Sequence, residues 1–170
     1  MVFLKFLQSL FKALNSEGTP GQVGLGMALG MAFGLTPLVS LHNMFVLVVA
    51  MLTTVSFPGV LLGWALAVPL GFALDPVFHA VGFGLLTMPA LTPLFTWAVN
   101  TPVVALFRLN NTIVLGSLVV WLTALVPLTL LFRMLVGRYR AHIFARLEQS
   151  RFFKAMKASK LYNLYELLRP

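Results

Sequence analysis

Apolar positions run almost without interruption from residue 18 to residue 132, and the polar ones gather into short clusters that nearly all contain proline. Long apolar runs cut by proline predict helices in a membrane rather than half-buried strands, which would alternate. Thr19-Pro20 starts the first helix, with threonine as N-cap and proline at the first helical position, and Pro37 ends it after Thr36. A second helix is expected over about 38–55, followed by a turn at "SFPG", and a third over about 59–74. Beyond "LDP" the apolar pieces 76–88 and 93–109 are too short for ordinary crossings. Asn100, Thr101 and Pro102 interrupt the second of them. Such pieces read as half-helices or a re-entrant hairpin, which protein or a wet cavity must cover. Residues 112–135 form the last clear crossing. The fold class is therefore an all-α integral membrane protein, with about four transmembrane helices plus re-entrant or broken half-helices. Amphipathic helices are expected at both ends, over 2–14 and in the tail 137–168.

The first helix carries an unusual pattern. Gly26, Gly30 and Gly34 make one stripe of small residues, and Gly24, Ala28 and Ala32 make a second. Two residues advance a helix by about 200°, so the stripes lie on nearly opposite sides. Both sides can then be approached closely by neighbouring backbones, which predicts a thin central strut. Self-association through one stripe is the competing use. No lysine follows these glycines, so they do not form a phosphate loop.

Composition sharpens this picture. The chain has 170 residues, 59% hydrophobic and 9% charged, with mean hydropathy +0.94. Soluble domains carry about 25% charged residues. Residues 18–132 hold only Asp75 and Arg108 besides histidines, which excludes a soluble fold. Cysteine is absent, and thiol chemistry with it. Of the net charge of +8, the nine Lys/Arg and two Glu from Arg133 onward supply 9 − 2 = +7. Basic residues directly after a crossing mark the cytoplasmic side and attract anionic lipid, so nucleic acid is not the expected partner. Arg138, Arg140, Arg146, Arg151, Lys154 and Lys157 are the membrane-surface candidates. Lys5 and Lys12 interrupt the N-terminal apolar run, which does not read as a signal peptide. The chain divides into an interfacial helix (1–17), a transmembrane domain (18–136) and a basic tail (137–170), with both ends expected in the cytoplasm.

Few groups could carry chemistry, and a charge at mid-span costs about 2.5–3.5 kcal/mol, so each needs an account. Asp75 before Pro76 reads as a helix N-cap. His79 stands one turn further on, where the two could touch and relay a proton. Arg108, in "FRLNN" with Asn110 and Asn111, could snorkel to the interface, pair with Asp75, or meet a lipid phosphate with its planar fork. His42-Asn43 follows the Pro37 break. These seven residues could line one polar pocket. They make thin enzyme equipment, with no metal-ligand spacing and no readable triad, so neither cofactor, metal nor catalysis is expected.

Three stretches also carry a resemblance: "TPGQVGLGMALGMAFGLTPLVSLHN", "LDPVFHA" and "FRLNNTIVLGSLV". Together they resemble a small family of bacterial inner-membrane proteins with no established activity. The first is similar, more distantly, to a domain-of-unknown-function family with an "ALGxxxGLxP" core. The resemblance covers about residues 18–140. It implies a bacterium with an outer membrane and a gene often paired with one for a larger envelope protein, itself like a lipid-bridge protein. The expected function is a non-enzymatic inner-membrane component of envelope phospholipid transport, anchoring or feeding that partner. An autonomous transporter or flippase, proton-coupled through Asp75 and His79, is the alternative, and a structural scaffold is the third reading.

Overall fold

The computed structural model describes residues 18–38 and 40–144. Helix α1 spans Pro20–Leu35, α2 Leu41–Leu52, α3 Phe57–Leu86, α4 Thr92–Asn100, α5 Pro102–Ala105 and α6 Thr112–Arg138. A 3-10 turn at Pro89–Leu91 precedes α4, and a π-helical turn at Tyr139–Phe144 extends α6. The described residues contain no strand. The interfacial helix expected over 1–17 lies outside them, as do Arg146, Arg151, Lys154 and Lys157 of the tail.

Helix α1 begins on a reciprocal cap. The Thr19 hydroxyl accepts from the Gln22 amide at 3.3 Å, and the Thr19 amide donates to Gln22 Oε1 at 2.7 Å. The helix is then held from both sides. Side chains added at Gly30 and Gly34 would strike the backbone of α3 at Val60 and Val68, and one at Gly26 would strike Ser56. The α3 glycines answer in kind: added atoms at Gly63 and Gly71 would enter the Met27 and Gly34 carbonyls of α1. On the opposite side, Gly24 faces Thr129 and Arg133 of α6, and Trp121 Nε1 donates to the Ala28 carbonyl at 2.9 Å. Both stripes are thus spent inside the molecule, one on α3 and one on α6.

These contacts set the register. Gly26 meets Ser56, Gly30 meets Val60 and Gly34 meets Ala67, so α1 and α3 run parallel, and α2 is the return segment between them. The Ser56 amide pins the start of α3 to the Gln22 carbonyl at 3.2 Å. Helix α6 runs antiparallel to both, with Gly82 against Thr112 and Gly116 against Phe78. Helix α1 ends level with Gly71, the middle of α3. The second half of α3 and the first turns of α6 therefore continue past it, and the broken chain fills the space beside them.

The described residues do not support four crossings. Among the described residues two helices, α3 and α6, are long and apolar enough to cross a membrane. The expected pieces 59–74 and 76–88 are one continuous helix, with Pro69 and Pro76 inside it. Asp75 is consequently not an N-cap. Each proline frees only one carbonyl, and a helix packed against neighbours tolerates that loss. Here Phe78, fully buried, and Gly82 hold the second half of α3 against α6 across the proline. At 12 residues, α2 is shorter than expected and reaches about 18 Å. The segment 93–109 resolves into the two short helices α4 and α5.

Only 33% of the most apolar stretch of α3 and 28% of that of α6 is buried, so both helices turn most of their apolar side chains outward. Phe72, Met51 and Leu52 are more than 70% exposed. A soluble core helix does the reverse.

The break between α1 and α2 is closed by one side chain. Asn43 Nδ2 donates to the Pro37 carbonyl at 3.0 Å and lies 3.4 Å from that of Leu38. The Thr36 hydroxyl stands 2.7 Å from the Ala32 carbonyl and 2.9 Å from Asn43 Oδ1, one proton between two acceptors. Thr36 and Asn43 are both buried, so the two side chains that bridge the break are shielded from solvent.

Two outcomes are expected from this packing. Gly63→Ala should destabilise the bundle by about 1–3 kcal/mol, because its methyl has only backbone to push against. Gly84→Ala, where nothing lies within 4 Å, should leave stability unchanged or raise it by up to about 1 kcal/mol. Thermal unfolding in mild detergent, followed by circular dichroism, compares the pair. Asn43→Leu should cost about 1–3 kcal/mol in the same assay, since it removes the buried partner of the Thr36 hydroxyl and the bonds across the break. An unchanged midpoint would mean that Asn43 does not hold the break.

Candidate functional site

Two openings flank the break. The first, of about 360 Å³, lies between the end of α1 and the middle of α3, with Thr36, Pro37, Gly71, Phe72 and Asp75 on its walls. The second is a cleft of about 660 Å³ between α2 and the segment leading into α6. Its walls are apolar, from Leu41, Met44, Leu47 and Leu106, with Ser40, Asn43 and Arg108 as its polar groups. Phe33 and Leu38 line both openings, so the two are neighbours across a shared apolar wall.

Arg108 is placed by an uncommon backbone turn. Its φ is +54°, the one positive value outside glycine among the described residues. The chain reverses there from α5 into α6, with the Arg108 amide on the Ala105 carbonyl and the Asn111 amide on the Arg108 carbonyl, each at 3.0 Å. Arginine is an unusual occupant of that region, which favours asparagine or glycine. The guanidinium is exposed and has neither a hydrogen bond nor an ion pair with any described residue.

The other candidates separate into different uses. Asp75 is half-buried in the first opening and forms no hydrogen bond or ion pair with a described residue, so the expected Asp75–Arg108 bridge is absent. His79 does not turn to Asp75 either. Its Nδ1 stands 2.8 Å from the Thr112 hydroxyl at the start of α6, and its ring stacks on Phe83 at 6.0 Å between centroids. His79 thus ties α3 to α6. Asn111 caps α6, its Oδ1 accepting from the Val114 amide at 3.1 Å. Asn110 borders a separate void of about 50 Å³ beside α4 and α5, which shares only Ala105 with the cleft. The seven residues therefore do not form one pocket. Asn43 and Arg108 share the cleft, Asp75 faces the neighbouring opening, and His42, His79, Asn110 and Asn111 are elsewhere.

His42 is 4% exposed, with Nε2 3.0 Å from the Ser40 hydroxyl and Nδ1 without a partner. A nucleophilic serine needs an acid behind its histidine, and no described carboxylate supplies one here. Among the described residues no group of three His, Asp or Glu stands together to hold a metal. At the opposite end of the molecule, Arg138 is exposed in the last turn of α6. Arg140 donates to the Gly18 carbonyl at 2.7 Å, joining the π-helical turn to the start of α1. Sequence reasoning missed the Gly82–Gly116 approach and the Trp121–Ala28 hydrogen bond. A lone glycine or tryptophan carries no spacing that could signal either.

An open apolar groove with a free guanidinium at its side can meet an amphiphile bearing an anionic group. Its size falls within the range of small-molecule sites. The chain is 27% identical over 161 residues to an uncharacterized protein of Treponema pallidum (strain Nichols), covering 93% of this chain and 98% of that one. No family model matches the sequence, and no solved structure matches it.

Proposed function

We propose that this chain is a non-enzymatic, membrane-embedded component of phospholipid transport that holds lipid in the cleft beside α2. Helices α3 and α6 cross the bilayer, and α1, α2, α4 and α5 enter it part-way. The basic end of α6, with Arg133, Arg138 and Arg140, lies next to the start of α1. The positive-inside rule assigns that end to the cytoplasm, and two crossings return the chain to the same side. The membrane is then a bacterial inner membrane. A larger periplasm-spanning protein is the receiving partner, an assignment that rests on the resemblance alone.

One observation carries the lipid reading: Arg108 stands free beside an apolar cleft of about 660 Å³. A guanidinium matches phosphate oxygens with two parallel hydrogen bonds, and acyl chains match the leucine and methionine walls. The proton-coupled carrier has less support, because Asp75 and His79 make no contact through which a proton could pass.

Purification of the full chain in native nanodiscs, with native mass spectrometry of retained phospholipid, tests the reading. Arg108→Gln should hold lipid about ten- to a hundredfold more weakly, the size of a lost charge-assisted hydrogen bond. Equal retention by variant and wild type would sink the phosphate contact. Covalent cross-linking in intact cells should capture a large envelope protein on the wild-type chain.

A further inference from the structure

The opening at the end of α1 has no part in the reading above, and its chemistry differs from that of the Arg108 cleft. It measures about 360 Å³ and is walled by the end of α1, the middle of α3 and Ile113 of α6. Thr36 and Asp75 are the polar side chains on its walls. The Thr36 hydroxyl proton is held between the Ala32 carbonyl and Asn43 Oδ1, so it is not free for a ligand. Asp75 is the one acidic side chain among the described residues, and none of them pairs with it. An ionisable group within a spanning helix is normally paired in its bundle or aimed at a site. The backbone around the opening has the same sign. Gly34 and Leu35 line it, and α1 ends at Leu35, so their carbonyls have no amide one turn further along the helix. No described amide reaches them from elsewhere. Such a helix end carries a partial negative charge. On the facing wall, Pro76 has no amide to offer the Phe72 carbonyl one turn before it. The opening thus brings together acceptors and a carboxylate, with no free side-chain donor, which is the chemistry of a cation site. A bare metal ion would leave most of its volume and its apolar walls unused, whereas the size stands at the lower end of small-molecule sites.

We infer that the opening beside Asp75 binds an organic ammonium ion, a protonated amine on a compact apolar body. The ammonium meets the Asp75 carboxylate, and the carbonyl end of α1 adds to the negative field there. The body lies against Phe33, Val68, Phe72 and Ile113. All of these residues line the one opening, so a single small ligand meets them without reaching into the Arg108 cleft. The inference stands apart from the lipid-holding reading, which rests on Arg108 in the other opening. A free amine and the amine of a membrane lipid share this chemistry, and the test separates them.

The full chain in phosphatidylcholine nanodiscs is titrated with radiolabelled phenethylamine, and uptake by empty nanodiscs is subtracted. Wild type should bind the amine saturably. Asp75→Asn should weaken that binding about ten- to a hundredfold, the size of a lost charge-assisted hydrogen bond. Phenethyl alcohol, which keeps the body and loses the charge, should not compete on the wild-type chain. That arm decides the matter even if the variant does not fold. Replacing part of the phosphatidylcholine with phosphatidylethanolamine separates the two sources. Displacement of the probe supports a lipid amine and undisturbed binding supports a free one, and either result supports the site. No saturable binding, equal binding by the variant, competition by the alcohol, or displacement by sodium ions at equal concentration overturns the inference.

Discussion

Backbone meeting backbone along α1 is the contact on which the rest of this bundle depends. In a bilayer, helices gain little by hiding leucine from lipid, so they associate where small residues let main chains come close. Helix α1 has that property on two sides, and α3 returns it through Gly59, Gly63 and Gly71. Interlocked glycines on both partners leave no freedom to slide by one residue, because a shift would drive a neighbouring side chain into a carbonyl. The parallel register of α1 on α3 follows. So does the level at which α1 stops, and so does the height of the break beside Asp75. The position of every polar group discussed above descends from that register.

The break is where local chemistry and membrane physics conflict. Pro37 stops α1 half-way along α3, leaving the carbonyls of its last turn without helical partners. Asn43 bridges the break from the next helix, seven residues after Thr36, so the hairpin closes on itself rather than on a neighbour. The result is a junction that ends short of the long helices. The space above it becomes the two openings. A longer α1 would have filled them.

What the sequence made legible is what local rules govern. Thr19, Pro20 and Pro37 bound α1, the stripes are plain from spacing, and α6 starts at Thr112 as its apolar run indicates. The LDP turn misled because Asp-Pro is a strong N-cap signal wherever nothing opposes it. Tertiary contact opposed it here: Phe78 and Gly82 are clamped on Gly116 and Thr112, and a break at Asp75 would have lost that clamp. The site was less legible than the fold for a related reason. Polar residues in an apolar chain look alike from sequence, and their shared rarity suggests a shared pocket. Asn43, Asn111 and His79 are instead consumed by the bundle's own needs: a helix break, a helix cap and a cross-link from α3 to α6.

Removing those three from the functional account leaves a smaller and more informative remainder. Arg108 and Asp75 are the charged residues between 18 and 132, and the fold pairs neither of them. An unpaired charge disfavours insertion, so neither is explained by the contacts that hold the bundle. Arg108 also occupies a backbone conformation that another residue would fill with less strain. Packing, capping and cross-linking therefore account for Asn43, Asn111 and His79, whereas Arg108 and Asp75 stand outside the bundle's own contacts among the described residues.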